Sequence, residues 1–391
     1  MERTTGIYVK RTLYGAQYDA FIPKPLPPQP PLEMTEEMWN LMEKANRALG
    51  RLDGITTLLP DAYLFTYFYL RKEAVLSSQI EGTQSSLSEL LLFENEQAPG
   101  IPLDDPRQVL NYVKAMYYGL TSIRSENGLP VSLRLLKEMH KILLKGSRGQ
   151  DEDPGEFRVV QNWIGGTHPQ EASYVGPPHE KMLECLDDFE KFLHGVPVKT
   201  PVLIKAALAH VQFESIHPFR DGNGRLGRLL ITLLLCAEGA LSEPMLYLSL
   251  YFKTNRKEYY DRLQRVREAG DWEGWVCFML RGVLETAEKA VAAAKQTLEV
   301  FNTDRQRIEA KNHVSSSVFR LHQLLQQRAI LNIKQAMNEL HLSEPTVGSA
   351  MRVLQELKIV REATGKPRNR IFVYDEYLKI LDEGTQPLSP A

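Results

Sequence analysis

The stretch HPFRDGNGRLGR, residues 217–228, holds one histidine, one aspartate, three glycines and three arginines, and the apolar run LLITLLLCA follows it directly. That run predicts a buried helix beginning near Gly224. Backbone N–H groups at a helix start lack intrahelical partners and lie at the positive end of the helix dipole. Because Gly222, Asn223 and Gly224 leave this backbone unobstructed, the stretch predicts a turn that binds an anion such as phosphate.

The charged residues of the stretch fit the same chemistry. Arg225 and Arg228 are three positions apart, so they share a helix face and can contact further phosphates. Asp221 is a hard oxygen ligand beside the turn and suits a Mg²⁺ ion that bridges two phosphates. His217 precedes the turn, where a neutral imidazole can take a proton from an attacking hydroxyl. We therefore expect a site for phosphate chemistry.

Three other interpretations compete for these residues. A calcium loop begins in the same way, but its sixth position here is Leu226 instead of glycine and its twelfth is Thr232 instead of glutamate. A Walker phosphate loop fails because no Gly-Lys-Ser/Thr follows. The third interpretation is a tight helix entry with solvated arginines, and it accounts for the two glycines around Asn223 but not for the full string.

Composition excludes several classes of protein. The chain has 391 residues, of which 43% are hydrophobic, enough to bury two or three domain cores. Its 47 basic and 49 acidic residues nearly cancel, so no overall charge favours nucleic acid or an anionic membrane. The three cysteines fit neither a disulfide framework nor a zinc site, and the first residues lack a hydrophobic signal core. These features predict a soluble cytoplasmic protein.

The pattern along the chain predicts a mainly α-helical fold. Residues 1–35 contain FIPKPLPPQPPLEM, which we expect to be an extended proline-rich arm with the fold starting after it. A helical region over 36–110 and a helical core over 111–300 follow, with helical periodicity ending near Ala294. Between Pro154 and Pro178, GEFRVVQNWIGG and ASYVGPP predict a short hairpin or extended flap.

Residues 313–382 predict a separate winged helix-turn-helix. ILNIKQAMNEL reads as a helix and HLS as a turn, and SEPTVGSAMRVLQEL follows as a second helix that Ser343 caps, with Pro345 in its first turn. KIVREATGKPRNRIFVY then alternates like a hairpin with TGKPRN at its tip. Helix, turn, helix and hairpin in this order are typical of winged helices.

The residues of the opening stretch resemble a family motif at every defined position. HPFRDGNGRLGR is similar to the motif of the Fic family, in which histidine, phenylalanine, an acidic residue, Gly-Asn-Gly-Arg and a final arginine have fixed spacing. The resemblance extends over about residues 60–290, and the proline arm and winged helix look like those of a bacterial subgroup. It implies a Fic-type helical bundle that transfers AMP from ATP and Mg²⁺ to a hydroxyl of a protein.

The resemblance also implies roles for individual residues. His217 would deprotonate the target hydroxyl, Asp221 would hold Mg²⁺, and Phe219 would anchor the loop. The flap would hold the target peptide by strand addition. Tyr259, in NRKEYYDRL, is similar to an aromatic residue that contacts the adenosine, although a helical tyrosine pair is more often core. The residues implied to bind the nucleotide are Glu81, Gly222, Asn223, Gly224, Arg225, Leu226, Gly227, Arg228 and Tyr259.

A second motif, SSQIEGTQSS at residues 77–86, resembles the inhibitory helix of the same family. Ser77 and Glu81 are four apart and share a helix face, and Gly82 can end the helix. The resemblance implies that Glu81 pairs with Arg228 in the place of the γ-phosphate, so that ATP binds unproductively. In some relatives the same glutamate positions water to remove AMP, and the sequence does not choose between these roles.

Other functions stay open at this point. The segment 358–370 holds five basic residues against the single acid Glu362, so the winged helix can contact DNA phosphates, although Ser349 and Arg352 are nearly its only base-reading side chains. Proteins with a Fic-like fold can also transfer phosphate, phosphocholine or uridylate. The target is undefined, self-modification is possible, and we expect a homodimer. The remaining histidines show no metal-ligand spacing, and we expect His210 to pack within its helix.

Overall fold

The computed structural model describes residues 3–13, 15–58, 62–94, 104–126, 128–147, 149–365 and 370–387. Its first elements are two strands, β1 (Gly6–Leu13) and β2 (Ala16–Pro23), which pair antiparallel with Gly6 opposite Pro23. The helices that follow, in chain order, are α1 (Glu36–Leu58), α2 (Ala62–Ile80), α3 (Leu87–Glu94), α4 (Asp104–Arg124), α5 (Leu133–Leu143), α6 (His179–Leu193), α7 (Val202–Ile216), α8 (Asn223–Ala237), α9 (Ser249–Thr254), α10 (Arg256–Ala269) and α11 (Trp272–Glu309).

The predicted mainly α-helical fold is confirmed. Every residue of α7 from Leu203 to Ile216 is buried, so this helix forms the centre of the bundle. The apolar run after the motif forms α8, which packs against α7 with its leucines in the core. The loop that joins these two buried helices holds the motif, so both of its ends are fixed by core packing. α11 continues to Glu309, well past its predicted end.

The expectation that the fold starts after the proline arm is wrong. The β1–β2 hairpin precedes the prolines, and Ala20 and Phe21 of β2 are buried. The prolines themselves are tied down, since Arg3 donates to the carbonyl oxygens of Pro30 and Pro31 and forms an ion pair with Glu273 of α11. Residues 6–13 and 16–23 form strands because their side chains alternate between the two faces with a period of two, and one face buries Phe21. The prolines that follow do not prevent this.

The predicted flap is confirmed as a small hairpin. β3 (Trp163–Ile164) pairs antiparallel with β4 (Tyr174–Val175). Tyr174 is buried and its ring lies 6.2 Å from the ring of Phe21 in β2. The first hairpin therefore supports the back of the flap.

The C-terminal region folds as a small unit with its own sheet. Its elements are α12 (Ser316–Arg328), β5 (Ile330–Asn332), α13 (Ile333–Leu340), α14 (Glu344–Glu356), β6 (Val360–Glu362), β7 (Ile371–Tyr374) and α15 (Asp375–Asp382). The strands lie in the order β5-β7-β6, all antiparallel.

Two details of this unit differ from the sequence prediction or fall outside it. Residues Ile330–Asn332 form a strand instead of the start of a helix, because Asn332 caps α13 in a reciprocal pair of hydrogen bonds with Gln335. The hairpin is present as β6 and β7, but residues 366–369 of its predicted tip lie outside the described residues. Helix, turn, helix and hairpin follow in the predicted order, with Ser343 at the start of α14.

Candidate active site

A cavity of about 490 Å³ opens at the start of α8. Its walls come from the turn after α2, the loop between α7 and α8, the first turns of α8, and α10, with β3 of the flap on one side. The predicted site residues that line it are Glu81, His217, Asp221, Gly222, Asn223, Gly224, Arg225, Arg228 and Tyr259. The structure therefore brings the two motifs and the predicted tyrosine into one cavity.

Leu226 and Gly227 are not among the residues that line this cavity. The side chain of Leu226 is fully buried in the core. A Cβ on Gly227 would lie 2.5 Å from Glu214 Oε1 and 3.2 Å from the ring of Phe213, so this glycine allows α8 to approach α7 closely. These two motif residues thus serve helix packing, and their contact with a nucleotide stays a prediction.

His217 ends α7 in the left-handed backbone conformation, with φ of 48°. Its carbonyl oxygen accepts hydrogen bonds from Arg158 Nε at 2.9 Å and Asn162 Nδ2 at 3.2 Å, so two flap side chains fix this unusual conformation. Burial, reinforced by the positive charges of Arg267 and Arg158, lowers the pKa of His217 to about 4. The ring is 18% exposed and neutral near pH 7, as a proton acceptor must be.

A buried carboxyl group lies beside this histidine. Glu214 Oε2 is 3.8 Å from His217 Nδ1, one helical turn earlier on α7. Burial raises the pKa of Glu214 to about 7, so the carboxyl group is easily protonated. When the His217 imidazole takes up a proton, an ionised Glu214 carboxylate can stabilise its positive charge.

The side chain of Asn223 holds the motif loop in place through two hydrogen bonds to the backbone of Phe219. Its Oδ1 accepts from the Phe219 N–H at 2.9 Å, and its Nδ2 donates to the Phe219 carbonyl oxygen at 2.8 Å. The side-chain amide is therefore occupied by the loop, and any phosphate contact at this position falls to the backbone. The N–H groups of Asn223, Gly224 and Arg225 begin α8 and point to the cavity end of the helix, as the anion-binding turn requires.

Asp221 presents a carboxylate at the edge of the cavity. Its Oδ1 accepts from the Gly222 N–H at 2.7 Å, its Oδ2 lies 3.6 Å from Arg225 Nη2, and the side chain is 40% exposed. No cluster of three His, Cys, Asp or Glu side chains that could hold a metal occurs within the described residues. A Mg²⁺ ion fits here only if phosphate oxygens and water complete its shell around Asp221.

Two of the three arginines of the motif, Arg225 and Arg228, are buried, so they are not solvated surface charges. Arg225 donates to Gln108 Oε1 at 3.0 Å. Arg228 donates through Nε to Ser77 Oγ at 2.9 Å and through Nη2 to the Ser77 carbonyl oxygen at 3.0 Å. The structure therefore excludes the interpretation of the motif as a simple helix entry.

Glu81 completes the contacts of Arg228. Its Oε1 lies 2.6 Å from Arg228 Nη2, and a Cβ placed on Gly224 would lie 2.4 Å from the same oxygen. The carboxylate thus lies directly on the first turn of α8, at the position where a helix start attracts an anion. Burial disfavours its charge, but the charge and hydrogen bond of Arg228 outweigh that effect and hold the pKa of Glu81 below its ordinary value.

Tyr259 and Tyr260 form the wall of the cavity on α10. Tyr259 is buried, with its hydroxyl 2.8 Å from His210 Nε2, whereas Tyr260 is exposed and its ring lies 5.1 Å from that of Tyr259. Tyr259 is therefore both a core residue and a cavity residue. His210 packs inside the bundle as predicted, since its ring stacks among those of Phe252 and Trp275.

His140 of α5 is a site residue that the sequence did not indicate. Its ring stacks on Phe219 with centroids 3.8 Å apart, its Nδ1 accepts from the Gly155 N–H at 2.9 Å, and its Nε2 lies 2.8 Å from the Asp221 carbonyl oxygen. Because Nδ1 accepts, Nε2 carries the proton and donates to Asp221. Burial lowers the pKa of His140 to about 4, so it holds the motif loop as a neutral ring.

Arg158 of the GEFR segment is the second such residue. It is buried, and it donates to the carbonyl oxygens of His217, Val160 and Pro177. The flap and the motif loop are therefore joined through one guanidinium. The only sequence signal was its place in the flap segment that resembles the family.

Comparison with known proteins agrees with this fold. A Fic family protein from Desulfovibrio desulfuricans G20 superposes with a TM-score of 0.58 at 21% identity, covering 88% of this chain and 98% of that one. A fragment of Fic-1 from Caenorhabditis elegans superposes with a TM-score of 0.52 at 24% identity, covering 66% of this chain and 74% of the fragment. The chain thus has the helical fold of Fic proteins.

Sequence comparison identifies the matching regions and the relatives of the chain. Residues 39–121 match the Fic/DOC family N-terminal region and residues 130–235 match the Fic/DOC family domain. The chain therefore contains a Fic/DOC N-terminal region and a Fic/DOC domain. It is 33% identical over 250 residues to a protein adenylyltransferase Fic from Culex quinquefasciatus, covering 63% of this chain and 46% of the relative. It is 27% identical over 218 residues to protein adenylyltransferase fic-1 from Caenorhabditis elegans, covering 55% and 40%. The chain spans less than half the length of these relatives.

No helix in the described part of the chain is both long and apolar enough to cross a membrane.

Proposed function

We propose that the protein is a protein adenylyltransferase that moves AMP from ATP to a hydroxyl side chain of a protein. The observation that carries this proposal is the neutral His217 ring beside the first turn of α8, where backbone N–H groups, Arg225 and Arg228 converge on one cavity. The names of the curated relatives support the same reaction.

The reaction follows from this arrangement. The triphosphate lies over the start of α8, where the helix dipole and the two arginines offset its charge. His217 accepts the proton of the target hydroxyl as its oxygen bonds to the α-phosphorus of ATP. The bond from that phosphorus to the bridging oxygen breaks in line, and pyrophosphate leaves. A Mg²⁺ ion at Asp221 would neutralise charge on the phosphate oxygens.

The target polypeptide reaches the active site along the flap. A second cavity, of about 690 Å³, adjoins the first and shares Trp163, Arg220 and Asp221 with it, and Val160 to Trp163 of the flap line its floor. An extended target segment can pair with β3, so that main-chain hydrogen bonds set its register whatever its side chains are. Tyrosine, serine and threonine hydroxyls are the acceptors we propose.

The proposal includes autoinhibition by Glu81. Its carboxylate occupies the anion position on Gly224 and pairs with Arg228, so a γ-phosphate cannot take the same place. The nucleotide then binds without the alignment that in-line attack needs. Removal of AMP through a water held by Glu81 is the alternative activity of the same site.

The test compares wild type, Glu81→Gly and Glu81→Gly with His217→Ala, each incubated with radiolabelled ATP and a cell lysate. We expect the single variant to label protein strongly, the wild type weakly and the double variant not at all. Mass spectrometry of the labelled protein should show the mass of AMP. A product mass of phosphate, phosphocholine or uridylate would replace the proposal with another transfer by the same fold.

DNA binding by the C-terminal unit is a second proposal. Ser349 and Arg352 are exposed on α14, and Arg352 and Arg370 line a groove of about 480 Å³. Arg361, by contrast, forms an ion pair with Asp375, which offsets part of the predicted basic charge. A gel shift with random duplex DNA at falling salt concentration tests this proposal, and no shift even at low salt rejects it.

A further inference from the structure

The end of α2 that carries Glu81 is held on its other side by a segment far away in the chain. This segment, Asp382–Gln386, begins at the last residue of α15, and we call it the strap. Gln79 Nε2 donates to the Thr385 carbonyl oxygen at 2.6 Å, across 306 positions of sequence. The Leu87 N–H donates to Thr385 Oγ1 at 3.3 Å, and Thr385 is fully buried. The strap therefore contacts both sides of the turn between α2 and α3.

The strap is anchored at its two ends. Asp382 accepts from the Ser88 N–H and from Ser88 Oγ, each at 3.2 Å, so its carboxylate caps the start of α3. Lys253 of α9 donates to the carbonyl oxygen of Gly384 at 3.1 Å and to that of Gln386. These contacts hold the strap against the turn between α2 and α3.

α15 connects the strap to the C-terminal sheet. Tyr377 of α15 is buried edge-on between Phe68 of α2, with centroids 5.4 Å apart, and Phe301 of α11, at 4.8 Å. β7 runs directly into α15, and the hydroxyl of its last residue, Tyr374, donates to Asp304 of α11 at 2.9 Å. A movement of the C-terminal sheet on α11 must therefore move α15 and the strap.

The turn holds unpaired polar atoms even with these contacts in place. Ser78 Oγ, Gln79 Oε1 and Thr83 Oγ1 are buried and have no protein hydrogen-bond partner among the described residues. Buried polar atoms of this kind cost free energy, so this end of α2 depends on the hydrogen bonds that the strap supplies. Ser77 and Glu81 face Arg228, whereas Gln79 faces the strap, so the turn lies between the two.

We propose that the strap is the regulatory element of the autoinhibition: it keeps Glu81 on Arg228, and its release from the α2–α3 turn activates AMP transfer. This inference rests on the proposed function. In this proposal the strap contacts form only when Glu81 is in place, so losing them shifts the population toward the active state. Binding of a partner to the C-terminal unit that moves α15 would have the same effect.

The test uses full-length Asp382→Ala/Thr385→Ala, with Glu376→Ala/Lys379→Ala on the exposed face of α15 as the matched control. We expect faster hydrogen–deuterium exchange over residues 77–88 and about tenfold more AMP incorporation for the strap variant only. In a Glu81→Gly background the strap changes should add nothing, because Glu81 is the group that the strap positions.

Two results would overturn this inference. Unchanged exchange over residues 77–88 means that the strap does not hold the turn. Unchanged transfer in a strap variant, when Glu81→Gly is active, means that holding the turn does not control the enzyme. If Glu81→Gly is itself inactive, the proposed function fails, and the exchange measurement still decides whether the strap holds the turn.

Discussion

The motif loop, between α7 and α8, and the α2–α3 turn that carries Glu81 meet at Arg228. The two regions are held in place in different ways. In the loop, the carbonyl oxygens of His217, Phe219 and Asp221 each accept a hydrogen bond from a buried or half-buried side chain. In the turn, the Glu81 side chain is 38% exposed and contacts Arg228 through a single oxygen. Under the proposed function, this difference predicts a preorganised catalytic loop and an inhibitory contact that can be removed, and each prediction below tests one of the two.

The largest effect should come from the loop. His217→Ala in the Glu81→Gly background should lower the rate of AMP transfer by at least about 10³-fold, because this imidazole is the proposed acceptor of the hydroxyl proton. Radiolabel incorporation measures it, and His313→Asn, an exposed histidine elsewhere, is the control. A loss of less than tenfold would show that another residue is the base.

The turn should give the next largest effect. Glu81→Gly should raise transfer by about 10²-fold, and Glu81→Gln by about tenfold, because the amide keeps a hydrogen bond to Arg228 but loses the charge. Initial rates with saturating ATP measure both. Equal rates for all three proteins would mean that Glu81 does not inhibit.

His140 tests how firmly the loop must be held. His140→Phe keeps the stacking on Phe219 but leaves the Asp221 carbonyl and the Gly155 N–H unpaired, so it should lower the free energy of unfolding by about 1–3 kcal/mol. It should also raise KM for Mg²⁺–ATP more than it lowers kcat. His140→Gln should recover part of both. Thermal unfolding and steady-state kinetics measure them, and an unchanged KM would make His140 purely structural.

The smallest effect is a pH dependence that is nearly absent near neutrality. Burial lowers the pKa of His217 to about 4, so the neutral, reactive ring dominates above pH 5 and is lost as the pH falls through 4. For Glu81→Gly, kcat/KM should show no titration of His217 between pH 6 and 8 and should fall below about pH 5. A midpoint near the ordinary histidine value of about 6.5 would contradict the buried environment described for this ring.

The sequence predicted the parts of the site that are contiguous. The motif, the helix after it and the Glu81 turn are local patterns, and local patterns report backbone conformation and helix ends. His140 could not be found, because it reaches the Asp221 carbonyl across 81 positions and α5 shows only an ordinary amphipathic pattern. The roles of Asn223 and Gly227 depend on which atoms the folded loop leaves available.

The fold, like the site, has parts that local sequence patterns predict and parts that depend on contacts between distant residues. The helices follow from apolar periodicity, but the dense prolines that follow the β1–β2 hairpin hide its strand pattern within residues 1–35. Its burial depends on contact between Phe21 and Tyr174, two residues far apart in sequence. The strap likewise depends on pairing between α2 and residues about 300 positions later.

The central claim is that the α-phosphorus of ATP is the atom attacked beside His217. Parallel incubations of the Glu81→Gly protein with ATP labelled on the α-phosphate and with ATP labelled on the γ-phosphate test it most directly. We predict that label from the α-position stays on protein and label from the γ-position leaves with pyrophosphate. Retention of γ-label on protein would contradict the account.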